Sequence, residues 1–136
     1  LSLVQGLNDG TIDVIVSDHK PEYEEQKRLT FAQAATGATG IETLLSLSLE
    51  LYHNGSVKLE KIIAALTSNP AKILKINKGN LSVGNDADFC IVDINKPWIV
   101  KQENLVSKSK NTSIENKRLQ GKVTNTYVKG QELYNI

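Results

Sequence analysis

The sequence contains no methionine and only one cysteine, and none of its apolar runs is long. Because Cys90 stands alone, a disulfide within the chain is excluded, and we expect a buried structural thiol in a reducing, cytoplasmic protein. A membrane-spanning helix needs about 20 apolar residues, so none is predicted. The chain opens at Leu1 with neither a methionine nor a signal-peptide pattern. We therefore expect a piece of a longer protein.

No excess of either charge is present, since 16 basic residues face 15 acidic ones. A net charge of +1 predicts no attraction to nucleic acid or to an anionic membrane. The short basic cluster at Lys108 and Lys110 lacks interleaved aromatic residues, and we interpret it as a solvated loop. The 136 residues, 40% of them apolar, are sufficient for one globular domain with a core.

The most informative stretch is 12–21, which reads IDVIVSDHKP. Its apolar residues between 12 and 16 predict a strand buried on both faces, as in parallel sheets covered by helices. Asp18 and His19 follow at the carboxyl end of that strand, where such folds place their chemistry. A helix that stops at Asn8-Asp9-Gly10 precedes it, so the pattern indicates a parallel α/β architecture.

Downstream, helical patterns give way to strand patterns near Gly79. The predicted elements, in chain order, are a polar surface loop over 22–30, a helical turn over 31–35, helices over 41–53, 59–66 and 70–74, and strands over 87–94, 98–100, 119–129 and 132–134. Asn69 is the predicted cap of the third helix and Pro70 its first residue. We expect His53, in the last turn of its helix, to interact with the helix dipole rather than with a metal.

A glycine-bearing loop, Gly37-Ala38-Thr39-Gly40, separates the first and second halves of the helical region. Two glycines at this spacing permit positive φ and a close approach of the backbone to a ligand. An ordinary loop uses glycine in the same way, so this pattern leaves the choice open.

Several blocks together resemble a known family. Ser17-Asp18-His19-Lys20-Pro21 resembles the end of the last barrel strand in the amidohydrolase superfamily. The blocks that resemble its zinc-dependent dihydroorotases are FAQA at 31–34, GATGIET at 37–43, LTSNPA at 66–71, the turn and strand over 84–93, SKSKNT at 107–112, GKV at 121–123 and TYVKG at 126–130. The resemblance implies an α/β fold: the last strand and helices of a (β/α)8 TIM barrel over 1–78, followed by part of a β-sandwich over 79–136.

The resemblance also implies a site and a reaction. Asp18 matches the aspartate that binds zinc and carries a proton, and the Thr39 and Gly40 backbone matches the loop that contacts the substrate ring. The implied reaction is the reversible hydrolysis of dihydroorotate to N-carbamoyl-aspartate in pyrimidine biosynthesis. A carboxylate suits this role because it can accept a proton from the attacking water and pass it to the leaving amide nitrogen.

One departure concerns Glu22, which stands where the family has a histidine facing the substrate carboxylate. Glu22 must therefore point away, be protonated or belong to a site with altered recognition. The other zinc ligands of the family have no counterpart here, so we expect these residues alone to be inactive and to bind zinc poorly. Another cyclic amidohydrolase (allantoinase or hydantoinase), a non-catalytic structural subunit, and Asp18 as a mere turn residue remain alternatives. A homo-oligomer or an aspartate transcarbamoylase partner is compatible with the family.

Overall fold

The computed structural model describes residues 2–136. The elements, in chain order, are α1 (Ser2–Asp9), α2 (Glu24–Lys27), α3 (Leu44–His53), α4 (Leu59–Leu66), α5 (Ser68–Ile73), β1 (Phe89–Ile99), a 3-10 turn (Gln102–Asn104), β2 (Arg118–Val128) and β3 (Gln131–Asn135). The helices thus precede the strands, as the change of pattern near Gly79 predicts. None of the described helices is long and apolar enough to cross a membrane.

Residues 12–16 form no sheet ladder within the described chain, and Val16 is 72% exposed. The predicted burial on both faces is therefore not seen among residues 2–136, because none of their strands pairs with this segment and its apolar side chains lack cover. The assignment of the segment to the last strand of a larger barrel does not depend on a partner within these residues. Two bonds tie it to the helices instead: Ile15 N–H donates to the Ala65 carbonyl at 3.1 Å, and Asn69 Nδ2 donates to the Asp13 carbonyl at 2.9 Å.

Three helices differ from prediction. The 22–30 segment, expected to be a loop, contains the one-turn helix α2, in which Glu24 pairs with Arg28 one turn later. Helix α5 begins at Ser68, two residues before Pro70, with Thr67 as its N-cap. Asn69 is not the cap, because it lies inside the helix, and its Nδ2 donates to the Asp13 carbonyl. Helix α3 ends at His53 as predicted but begins at Leu44 rather than at residue 41, where the chain forms a turn. Helix α4 and its uncapped start at Lys58 agree with prediction.

The sheet is antiparallel, in the order β1-β2-β3. Strand β1 runs without a break through the two segments predicted as separate strands, so that prediction is corrected. Its register with β2 shifts between Ile91 and Val92 and again between Asp93 and Pro97. The irregularity between Asp93 and Pro97 explains the single strand, because the ladder is interrupted there and resumes with Pro97 opposite Gln120.

Helix α3 packs on β2 through a buried polar junction. Ser46 Oγ donates to the Gly121 carbonyl at 2.6 Å, and Trp98 Nε1 donates to the same carbonyl at 3.2 Å and to Ser46 Oγ at 3.1 Å. Gly121 has a φ of 96°, and a side chain there would collide with Leu49, which is fully buried. The helical and β parts are therefore in direct contact, and a domain boundary near Gly79 stays a prediction.

Cys90 is exposed, which contradicts its predicted burial. It lines a groove of about 800 Å³ between the helices and one face of the sheet, whose walls include Leu44, Leu74, Phe89 and Val123. The residues around Cys90 are apolar, as the sequence indicates. Cys90 is nevertheless exposed, because none of the residues 2–136 covers this apolar face.

Candidate functional site

Asp18 occupies an unusual backbone conformation at the end of the 12–18 segment. Its φ is 43°, in the left-handed region, and the residue is exposed. Aspartate enters this region more easily than most residues, and residues held there concentrate at functional sites. Asp18 lines a cavity of about 810 Å³ together with Ser17 and the loop from Gly37 to Gly40.

The glycine-bearing loop lies directly against the backbone around Asp18. Lys20 N–H donates to the Ala38 carbonyl at 3.1 Å. A Cβ at Gly37, whose φ is 117°, would lie 2.6 Å from the Lys20 carbonyl oxygen, and one at Gly40 would lie 2.8 Å from that of Ser17. Both glycines are therefore required by close contact with the chain's own backbone, and the approach of a ligand to this loop stays a prediction.

The structure brings Asp18, Thr39 and Gly40 to one cavity. Thr39 is only 8% exposed, and its N–H and Oγ1 both donate to the Asn111 carbonyl, at 2.8 and 2.9 Å. Gly40 N–H donates to His19 Nδ1 at 3.1 Å. The N–H groups of Thr39 and Gly40 thus both have hydrogen-bond partners within the chain. The conformation of the loop is therefore fixed before any ligand binds.

Glu22 lines a different cavity, of about 610 Å³, with His19 and Glu42. Its side chain is 17% exposed, and its Oε1 lies 3.7 Å from Lys20 Nζ. Of the three options for Glu22, this geometry favours a side chain directed away from the cavity of Asp18.

Three residues that contribute to the site were given no role in the sequence reading. His19 accepts from the Gly40 and Ile41 amides, and Asn111 Nδ2 donates to the Gly37 carbonyl at 3.2 Å. The Glu42 carboxylate accepts from Val106 N–H at 2.9 Å and from Ser107 N–H at 3.0 Å, which fixes the start of the loop that carries Asn111. The sequence shows both segments as the GATGIET block at 37–43 and the SKSKNT block at 107–112. No local pattern predicts that these two blocks are in contact.

Residues 2–136 do not bring together a complete set of metal ligands. No group of three His, Cys, Asp or Glu side chains within residues 2–136 could hold a metal ion. His53 Nε2 instead lies 3.1 Å from the Ile94 carbonyl. Asp18 offers an exposed carboxylate at the cavity, which suits one position of a zinc site that needs four ligands.

Named relatives resemble almost the whole chain. The protein named dihydroorotase from Ehrlichia canis (strain Jake) is 43% identical over 134 residues, which cover 98% of this chain and 30% of that protein. The protein of the same name from Syntrophus aciditrophicus (strain SB) is 43% identical over 130 residues, 96% of this chain and 30% of that protein. The chain therefore spans about 30% of the length of these relatives.

Solved structures show the same fold. L-Hydantoinase (dihydropyrimidinase) from Arthrobacter aurescens superposes with a TM-score of 0.92 at 30% identity, over 98% of this chain and 31% of that one. Dihydropyrimidinase from Brevibacillus agri NCHU1002 superposes with a TM-score of 0.91 at 23% identity, which is a likeness of fold alone. The predicted fold class, an α/β portion of a larger amidohydrolase fold, is confirmed. Residues 2–133 also match the sequence profile described as the amidohydrolase family, to which this chain accordingly belongs.

Proposed function

We propose that the protein carrying these residues is a dihydroorotase, which hydrolyses the cyclic amide of dihydroorotate reversibly to N-carbamoyl-aspartate in pyrimidine biosynthesis. The observation that carries the proposal is the carboxylate of Asp18, held in left-handed backbone at a cavity whose wall is the Gly37 to Gly40 loop. Relatives named dihydroorotase, 41–43% identical over 95–98% of the chain, support the choice of substrate.

In this proposal Asp18 has two roles. It supplies one zinc ligand, the others coming from outside these residues, and zinc bound there would act as a Lewis acid on the amide carbonyl. Its carboxylate accepts a proton from the attacking water and delivers it to the leaving amide nitrogen. The Thr39 and Gly40 backbone forms the wall against which the substrate ring lies.

Glu22 is the residue whose role differs most from the family pattern. Because it lies beside Lys20 and lines a separate cavity, we assign it no contact with the substrate carboxylate. An ionised Glu22 facing that carboxylate would repel it, and the position of Glu22 beside Lys20 supports a side chain directed elsewhere. Recognition of the substrate carboxylate then falls to residues outside this chain.

A hydantoinase activity is the second candidate, because L-hydantoinase from Arthrobacter aurescens shares the fold at 30% identity. Turnover of dihydroorotate and of hydantoin by the full-length protein separates the two. A non-catalytic subunit would hydrolyse neither. We further propose a cytoplasmic protein, with a homo-oligomer or an aspartate transcarbamoylase as the partners to test.

The experiment that tests the proposed role is Asp18→Asn in the full-length protein. Loss of the proton carrier predicts a fall in kcat of about 10²–10⁴-fold. Cys90→Ser is the matched control, because Cys90 lies in the groove beside the sheet rather than at the cavity of Asp18, and it should leave turnover nearly unchanged. Near-normal turnover of the Asp18 variant would show that another group carries the proton.

A further inference from the structure

We propose that His19 is a positioning residue, which holds the Gly37 to Gly40 loop in register with the Asp18 carboxylate through its Nδ1 atom. The inference deepens the proposed function and rests on it. It assigns His19 a task separate from that of the neighbouring aspartate and independent of metal binding.

The first step is the hydrogen bonding of the imidazole. Nδ1 of His19 lies 3.1 Å from Gly40 N and 3.3 Å from Ile41 N, and both nitrogens are donors. A neutral imidazole has one acceptor nitrogen, and two converging N–H groups require that acceptor to be Nδ1. The ring proton of neutral His19 therefore resides on Nε2.

The second step is that the opposite side of the loop is held by another side chain. Asn111 Nδ2 donates to the Gly37 carbonyl at 3.2 Å, and the Asn111 carbonyl accepts from Thr39. The two anchors lie 21 and 74 positions away along the chain from the loop residues they bind. The loop is thereby fixed by His19, which follows the 12–18 segment, on one side and by Asn111, which precedes β2, on the other.

The third step concerns what this fixing does for Asp18. His19 follows Asp18 directly, so its ring ties the peptide unit next to the left-handed residue to the wall of the cavity. The Lys20–Ala38 backbone bond and the close approach of Gly40 to Ser17 also restrict movement of the loop relative to Asp18. A displacement of about 1 Å between reacting groups can lower a rate by about 10²-fold. Loss of the Nδ1 acceptor should thus reduce kcat without removing a reacting group.

The test compares three variants of the full-length protein: His19→Asn, His19→Gln and His19→Ala. The carbonyl oxygen of Asn reaches the place of Nδ1, whereas that of Gln reaches toward the place of Nε2. We expect kcat/KM for dihydroorotate to fall about 10–100-fold in the Gln and Ala variants and to stay within about 3-fold of wild type in the Asn variant. Equal losses in the Asn and Gln variants would overturn the proposal.

Two further measurements keep the outcomes distinct. Metal content and melting temperature are measured for every variant, because they identify any loss of activity that is caused by loss of zinc or by unfolding. If the Gln variant loses zinc or unfolds, the Ala variant is compared with the Asn variant in its place. The amide resonance of Gly40, followed by NMR, should move in the Gln variant and stay near its wild-type position in the Asn variant. If wild type hydrolyses no cyclic amide, the proposed function fails, whereas an unmoved Gly40 resonance in the Gln variant refutes the tether itself.

Discussion

Gly121 lies where β2 passes beneath Leu49 of α3, and its backbone and its surroundings both require glycine. Gly84 has a similar φ, 95° against 96°, but open space around its Cα. We predict that Gly84→Ala lowers the free energy of unfolding by about 1–2 kcal/mol, the cost of left-handed backbone. Gly121→Ala should lower it by about 1–3 kcal/mol more, because Leu49 has to move. Denaturant unfolding measures both, and equal losses would contradict the packing of Leu49 described above.

Ser46 and Ser48 form a second matched pair, since both are buried in α3. Ser46 donates across to β2, whereas Ser48 donates to the Leu44 carbonyl of its own helix at 2.8 Å. Ser46→Ala should cost about 1 kcal/mol of unfolding free energy, with the Gly121 carbonyl still bonded to Trp98. Ser48→Ala should change it by less than about 0.5 kcal/mol, because alanine favours the helix. The same unfolding measurement decides, and a larger loss at Ser48 would refute the assignment.

At the residue scale, the sequence identifies a candidate by its own chemistry more readily than a residue that acts through a partner. Asp18 is such a candidate because a carboxylate follows an apolar run, and its role stays a prediction. His19 and Asn111 do not, because their roles depend on groups 21 and 74 positions away. The burial of Cys90 is predicted from its apolar neighbours in sequence. Burial requires a surface that covers the residue, however, and residues 2–136 supply none, so Cys90 is exposed.

Among the elements, the helices follow most closely from the sequence, because their hydrogen bonds are local. Helix α4 lies where the apolar spacing predicts it, and α3 ends at the predicted residue but begins at Leu44 rather than at residue 41. The 12–16 segment and β1 fare worse, since a strand requires a neighbour at the correct register. The first has no partner within the described chain, and the second continues past Pro97 because its ladder with β2 resumes at Pro97.

An ion cluster joins the segment after α5 to the turn before β1. Lys78 Nζ lies 2.7 Å from Asp86 Oδ2 and 2.5 Å from Asp88 Oδ2, and Asp88 Oδ1 also accepts from Lys129 N–H at 2.7 Å. The bond from Lys78, followed by that from Lys129, lowers the pKa of Asp88, and the bonds to Asp86 and Asp88 raise the pKa of Lys78.

These shifts predict the pH range in which the cluster stabilises the fold. A lowered pKa at Asp88 gives stability that is present above its ordinary value of 3.8 and is lost as the pH falls through the lower folded value. A raised pKa at Lys78 gives stability that is present below 10.5 and is lost as the pH rises through the higher folded value. Melting temperature against pH should therefore fall less steeply in acid for Asp88→Asn than for wild type. Identical acid limbs would show that Asp88 contributes nothing.

The whole molecule behaves as a portion of a larger fold. Its fold class follows from the sequence, because several blocks together resemble one family. The arrangement of those blocks around Asp18 does not follow from the sequence. We predict that the 136 residues alone show no turnover of dihydroorotate and retain no zinc after dialysis, since one carboxylate cannot replace four ligands. Metal analysis and a turnover assay check this, with the full-length protein as the positive control. Measurable turnover by the isolated chain would refute it.

The irregular register of β1 has a consequence for how the sheet can grow. In the described chain β1 has β2 on one side only, so its other edge presents backbone groups to any further strand. Pro97 has no N–H to donate to such a strand, and the register of β1 shifts between Asp93 and Pro97. An added strand can therefore extend the sheet along the first half of β1, while the second half resists edge-to-edge aggregation.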